Sequence, residues 1–396
     1  MKKPGEMLLE LLIRILGWSS SLIVILIVLF LFREGLGLFS ASVLTERHVL
    51  IVNPDNPIRE WDANKIHKVT REEVTNWKDL GWKNIPIQVL TTGNLEQFIP
   101  EAQGDNVLDI LPHRIDSLFN NNPGLIGFIP ERYAPPGYVP VETGNLSVKD
   151  FFLGTRWYPT SDPAPEFGAL PIILGSLWVT LGAVLFALPL GLATAIYMAE
   201  IANKRIASIL KPIVELMAGI PSVVFGFFGL VVIVPLIKEM FGLAVGETAL
   251  AGSILLGIIA LPTVITIAED AIRSTPYALK EASLGMGATH WQTLVRVIIP
   301  ASFSGISAAV ILGVGRAIGE TMAVLMVTGN AAVIPHTFLS PVRTLPATIA
   351  AELGEAPVGG THYRALFLVA CVLFLLSLGI NLIVNWIQFK AKQKEA

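Results

Sequence analysis

Two charged residues stand where the sequence is otherwise apolar: Arg316 and Glu320, inside the run from Ser302 to Thr328. A charge in hydrocarbon costs roughly 2.5–3.5 kcal/mol on insertion scales, so each should face a bundle interior or water. Four residues apart on a helix, they share a face and can pair. Thr321 places a hydroxyl beside them, and Gly315 and Gly319 form a ridge of small residues that a second helix can approach. Two readings stand. Either Arg316 meets an anion on a pathway that also includes Glu320 and Thr321, or the two charges form a structural lock between helices. Catalysis has no comparable signal. The sequence has no G-x-x-x-x-G-K-[ST] phosphate loop, nucleophile elbow or H-E-x-x-H pair. Its six histidines are scattered without metal-ligand spacing, so no metal or cofactor is expected. The single Cys371 allows no intrachain disulfide.

The elements that must position these residues are membrane spans. The chain is 53% hydrophobic and 15% charged, with a mean hydropathy of +0.64, against about 25% charge in ordinary soluble domains. A net charge of -3 with no basic cluster gives no footprint for nucleic acid. The first apolar run, Trp18 to Phe32, extends toward Leu8 and follows Lys2, Lys3 and Arg14. It reads as an uncleaved anchor, although Ser40-Ala41-Ser42 resembles a weak signal cleavage site. A polar stretch, 37–168, is too long for a loop and reads as a small α/β domain with strand-like pieces such as His48–Val52. Five more apolar runs follow, at about 171–198, 219–237, 248–268, 302–328 and 364–387. An amphipathic stretch, Ile206 to Met217, precedes the second of these, and Gly219-Ile220-Pro221 should break the chain between them.

Lys and Arg set the orientation. With the N-terminus inside, the cytoplasmic segments hold Lys2, Lys3 and Arg14; Lys204, Arg205 and Lys211; Arg273, Lys280 and Arg296; and Lys390, Lys392 and Lys394. The short opposite loops hold only Lys238, Arg343 and Arg364. The expected fold is therefore an all-α polytopic membrane protein of six transmembrane helices with both termini cytoplasmic. An extracytoplasmic α/β domain lies between helices one and two. The expected divisions are 1–36, 37–168 and 169–396, with Pro300 stopping a helix before the fifth span.

The segment between the fourth and fifth spans reads Glu281-Ala282-Ser283, three residues, Gly287, nine residues, then Val297-Ile298-Ile299-Pro300. It is similar to the EAA signature of ABC importer permeases, with Ser283 for the second Ala, Val297 for Ile and Ile299 for Leu. Independently of that likeness, it reads as a short helix, a glycine-permitted turn and a second helix. The resemblance implies a coupling helix, carrying Glu281, Ala282, Ser283 and Gly287, that docks on an ATP-binding subunit.

The stretch Gly315–Val324 closely resembles the phosphate ABC transporter permeases of the PstC type. Gly175-Ser176-Leu177, Ala195–Glu200, Ala218–Gly226 and Gly360–Tyr363 agree with it. The resemblance covers about residues 168–390 and implies type I ABC importer architecture and inward passage of inorganic phosphate by alternating access. The chain would then sit in a bacterial or archaeal inner membrane, among lipid, as a multi-pass permease subunit without an ATPase site of its own. Its implied partners are ATP-binding subunits, a sister permease subunit and an extracytoplasmic phosphate-binding protein.

Part of the outer stretch, Val69–Gly81 with Ile85–Val89 and Asn122–Phe128, resembles a fragment of a phosphate-binding protein. Its turn Thr91-Thr92-Gly93-Asn94-Leu95-Glu96 has few hydroxyls and adds a carboxylate, which suits an anion poorly. The competing readings are a permease for another oxyanion and a non-transporting sensor with an outer detector. A sensor should carry an output domain, which the sequence lacks. A secondary transporter has no use for an ATPase-docking motif.

Overall fold

The structure, a computed structural model, describes residues 4–42, 44, 48–99, 107–136, 138 and 141–395. Lys2 and Lys3 lie outside them, as do the side chains of Lys390, Lys392 and Lys394. The chain divides into two compact units: residues 1–169 with 356–368, and 170–355 with 369–396.

The first unit opens with helix α1, Pro4–Leu36. Its most hydropathic window has no buried residue, the pattern of a helix whose cover is lipid or a partner helix. A three-stranded sheet then forms from β1 (His48–Val52), β2 (Gln88–Thr91) and β3 (Leu125–Pro130), in the order β1-β3-β2. β3 is central, pairing antiparallel with β1 and parallel with β2. Being covered on both faces, it reads as the unbroken run Leu-Ile-Gly-Phe-Ile rather than as an alternation.

Helices α2 (Ala63–Thr70), α3 (Val107–Asn121) and α4 (Val148–Leu153) complete this unit. Asp62 caps α2 by accepting from the Lys65 amide at 2.8 Å. Ile115 and Phe119 of α3 pack with Ile51, Leu90, Leu125 and Ile129 of the sheet. Trp61, Trp77 and Trp82 stack edge to face at 5.9 and 5.6 Å, and Trp77 donates its indole N–H to the Gly124 carbonyl at 2.9 Å.

The second unit is helical: α5 (Leu170–Ile196), α6 (Lys204–Gly219), α7 (Ser222–Phe228), α8 (Val234–Phe241), α9 (Ala249–Arg273), α10 (Tyr277–Gly285), α11 (Phe303–Gly319), α12 (Met322–Val327) and α13 (Leu345–Glu352). Helix α14, Thr361–Glu395, follows them. The buried face of α5 carries Gly175, Val179, Ala183, Ala187 and Gly191, small or slim residues at intervals of four, which let α9 approach closely. A side chain at Gly191 would meet Val264 of α9 at 2.8 Å. Helix α9 is the most buried of the long apolar helices. Thr248 caps it, and the Ala249 and Leu250 amides donate to the carbonyls of Ser340 and Phe338. Ile220 adopts extended backbone between α6 and α7, and Pro221 precedes the new helix, as its missing N–H favours.

Among the described residues, five helices are long and apolar enough to cross a membrane, or six when a bent pair counts as one span. Two expectations fail in that pair. Pro300 does not stop a helix. The chain turns helical at His290, widens into a π turn at Leu294–Ile298, passes through Ile299–Ala301 and bends by 68° at Ser302. Pro300 sits in the first turn after the π segment, where its missing N–H costs little. Ser302 Oγ donates back to the Ile298 and Ile299 carbonyls at 2.8 and 3.3 Å, beside the Ser302 amide bond to Ile298 at 2.9 Å, at the bend. The run 302–328 is also not one helix: α11 ends at Gly319, and Glu320 is extended with ψ at 131°.

Candidate functional site

The break between α11 and α12 places Arg316, Glu320 and Thr321 together in sequence but not in an ion pair. The Glu320 carboxylate is used locally. Its Oε1 accepts from the amides of Thr321 and Ala323 at 3.2 and 3.3 Å, capping α12. That local competition is what opens the helix. The shared face expected for residues four apart requires continuous helix, so the expected Arg316–Glu320 pair does not form. Arg316, on an exposed face of this chain, donates instead to Thr263 Oγ1 of α9 at a long 3.4 Å. The guanidinium thus keeps most of its five donors uncommitted within the chain. Thr321 Oγ1 donates to the Gly319 carbonyl at 3.3 Å. Gly315 and Gly319 have open space where a side chain would stand, whereas at Gly313, two residues before Gly315, a side chain would press on Val264 at 2.5 Å.

The second cluster surrounds α10. Glu281 and Ala282 are exposed, and Glu281 forms no ion pair among the described residues. Gly287 has φ of +86°, a left-handed turn that glycine adopts without strain, and open space at its Cβ position. The requirement there is conformational, as the sequence reading expects. Thr289 starts the following short helix through a capping box with Gln292. Ser283 Oγ and Thr293 Oγ1 lie 2.9 Å apart and tie the two helices across the turn. Met286 and Trp291 are 89% and 68% exposed. Exposed apolar side chains beside a charged helix are features of a docking surface.

Behind this surface lies a group of charges that sequence reading did not assemble. Lys280 forms an ion pair with Glu200, 80 residues away. Glu269 is 1% exposed. Its Oε1 stands 2.8 Å from Arg273 Nε but off the N–H direction, so that contact is Coulombic rather than a hydrogen bond. Lys211 Nζ lies 3.9 Å from Glu269 and 3.6 Å from Asp270, and Arg273 also donates to the Met198 carbonyl at 3.0 Å. Removing one partner of a buried pair costs about 3–5 kcal/mol, because a charge is left uncompensated. The four-residue spacing of Glu269 and Arg273 was available in the sequence. The Glu200–Lys280 contact carries no local signal.

In the first unit the turn at Thr91–Asn94 is held by its own residues and by Thr92 Oγ1, which donates to Asp162 Oδ2 at 3.2 Å. Asn94 accepts from the Thr91 amide and donates to the Val89 carbonyl, both at 2.7 Å. A polar cleft of about 320 Å³ lies elsewhere, lined by residues that include His67, Arg71, Lys149, Arg156 and Glu166. Glu166 accepts from Arg71 Nε and Nη2 at 2.7 and 2.5 Å. Desolvation opposes the charge of Arg71, yet the hydrogen bond and charge of Glu166 prevail and hold the guanidinium pKa above its ordinary value. Burial lowers the His67 pKa, against the raising effects of Glu166 and the Pro165 carbonyl.

Bent and broken apolar helices around a deeply buried one, with a short exposed helix between two of them, define a multi-pass membrane permease subunit. Residues 187–393 match the family described as binding-protein-dependent transport system inner membrane component, and the chain belongs to that family. It is similar, at 40% identity over 63% of this chain and 80% of the relative, to a Bacillus subtilis protein named "Probable ABC transporter permease protein YqgH". It is also similar to the phosphate transport system permease protein PstC of Mesorhizobium japonicum, at 35% identity over 60% of this chain and 77% of that one. A chain of the MetNI methionine ABC transporter aligns over 55% of this chain and 93% of its own, with 22% identity and a TM-score of 0.44. Subunits of this family are not themselves enzymes and work with ATP-binding subunits and a substrate-binding protein.

Proposed function

We propose that this chain is the PstC-like half of a phosphate importer, paired with a sister permease subunit and served by a phosphate-binding protein. The cargo rests on the resemblance of Gly315–Val324 to phosphate permeases and on relatives named as phosphate transport permeases. The observation that carries the mechanism is α10, a short exposed helix ending in a left-handed Gly287 turn between two spans. Glu281, Ala282, Ser283 and Gly287 then form the coupling surface on which an ATP-binding subunit seats. That seating puts α10 and both termini in the cytoplasm and residues 37–168 outside, in an inner membrane. Arg316 meets the anion where helix α11 breaks. The planar guanidinium suits tetrahedral oxyanions, and Glu320 and Thr321 shape the break around it. The outer unit contacts the binding protein or shields the pore mouth, and its Thr91–Asn94 turn is not a phosphate cradle.

The test is uptake of labelled phosphate, against sulfate, into vesicles holding this chain with purified ATP-binding, sister permease and binding-protein subunits. ATP-dependent uptake of phosphate alone supports the reading. Uptake of sulfate at an equal rate refutes the cargo. In the same vesicles Glu281→Arg should reduce uptake by about 30-fold or more, the effect of losing a central interface contact worth roughly 2 kcal/mol or more. Normal uptake by that variant refutes the coupling surface.

A further inference from the structure

Lys280 and Glu281 are neighbours on one helix, so their side chains leave it about 100° apart. Glu281 is exposed, while Lys280 turns inward to pair with Glu200. Glu200 belongs to the π turn Tyr197–Ile201 that ends the long helix begun at Leu170. The same turn offers its Met198 carbonyl to Arg273, the last residue of α9. Arg273 stands against the buried Glu269, and Lys211 of α6 lies within 4 Å of Glu269 and Asp270. Three anions and three cations from α6, α9, α10 and the end of α5 thus form one balanced cluster. Ser283 and Thr293 separately tie α10 to the next helix.

We propose that the Glu200–Lys280 pair is a positioning contact that makes the end of α5 follow α10, with the Glu269–Arg273–Lys211 group carrying the displacement to α9 and α6. The two residues touch neither cargo nor nucleotide. They act by keeping the coupling surface and the spans in one moving body. This rests on the reading that α10 seats on an ATP-binding subunit.

Charge reversal tests it in the assembled transporter, reading three quantities: subunit docking, ATP hydrolysis and labelled-phosphate uptake. Glu200→Lys should leave docking and hydrolysis near wild type and lower uptake per ATP by about tenfold, since two cations now face each other at the joint. Glu200→Lys combined with Lys280→Glu should restore at least half of the wild-type ratio, because the pair is rebuilt with its signs exchanged. Unchanged uptake per ATP in Glu200→Lys overturns the proposal. So does a double variant that docks and hydrolyses but stays as uncoupled as the single one. If Glu200→Lys does not assemble, Glu200→Gln applies the same test: a lowered ratio supports the link and an unaltered one overturns it. Glu281→Arg separates the two readings. It should weaken docking by about 30-fold or more, and docking at wild-type affinity in that variant sinks the coupling surface itself, whatever Glu200 does.

Discussion

The charges behind α10 and the charges at the α11 break are handled in opposite ways. Behind α10, Lys211, Glu269, Arg273, Lys280 and Glu200 each stand against at least one opposite charge, and Glu269 does so almost wholly buried. At the break, Arg316 holds a single long hydrogen bond to Thr263, and Glu320 spends its carboxylate on backbone amides. Charges that maintain shape are saturated by their neighbours, because an unmatched one in a low dielectric is costly. A cation left with free donors within the chain, beside exposed glycines, meets what the proposed pathway role requires. The comparison favours the pathway reading of Arg316 over the lock.

The largest effect expected is at Arg316 itself. Arg316→Ala should lower phosphate uptake by roughly 30-fold, in line with the about 2 kcal/mol that a hydrogen bond to a charged group contributes. Adding Glu320→Ala should not rescue it, because the two side chains are not partners. It should cost about 1 kcal/mol more by uncapping α12. Recovery of near-normal uptake by the double variant, at equal amounts of assembled complex, would restore the lock. Arg316→Lys should also transport poorly, since a point charge replaces a planar fork.

A smaller effect separates the packed and open faces of α11. Gly313→Ala pushes a methyl group into Val264 and should destabilise the chain by about 1–3 kcal/mol. Gly315→Ala meets open space within the chain and should be neutral or stabilise by up to about 1 kcal/mol, since the helix loses a flexible residue. Unfolding midpoints of the two purified variants check this. Equal losses would mean that the face bearing Arg316 is packed after all.

The smallest effect lies in the first unit. Burial holds the folded-state pKa of His67 below its ordinary 6.5. Between those two values the unfolded chain binds the extra proton and the folded one does not. Stability should therefore be complete above about pH 6.5 and decline as pH falls toward the folded value. The unfolding midpoint of the full chain should drop less on acidification in His67→Gln than in the wild type. An identical drop would assign the acid sensitivity to other groups.

Spans and breaks were legible in the sequence to different degrees. Long apolar runs announce themselves by composition, and Gly219-Ile220-Pro221 marks its own break because proline cannot donate. Gly287 was legible because a left-handed turn between two helices asks for glycine. The break at Glu320 was not, because Glu is a good helix former and periodicity cannot reveal a carboxylate that prefers amides three residues ahead. The bend at Ser302 was displaced from Pro300 because a π turn upstream absorbs the proline. The Glu200–Lys280 contact joins residues 80 apart, which no local pattern encodes.

Three segments, Tyr197–Ile201, Gly229–Ile233 and Leu294–Ile298, are π turns. Such a turn holds about one residue more than the α turn it replaces. The second and third lie inside continuing helix, so each is a place where the chain could lose one residue and stay helical. The deletion would rotate everything on one side of it by about 100° against the other. At Leu294–Ile298 that rotation would turn the surface bearing Trp291 away from its present heading while leaving its composition untouched. The angular offset between the two ends of such a helix is stored in the residue count rather than in any one side chain. A change of length, and not a point substitution, is the step that resets it.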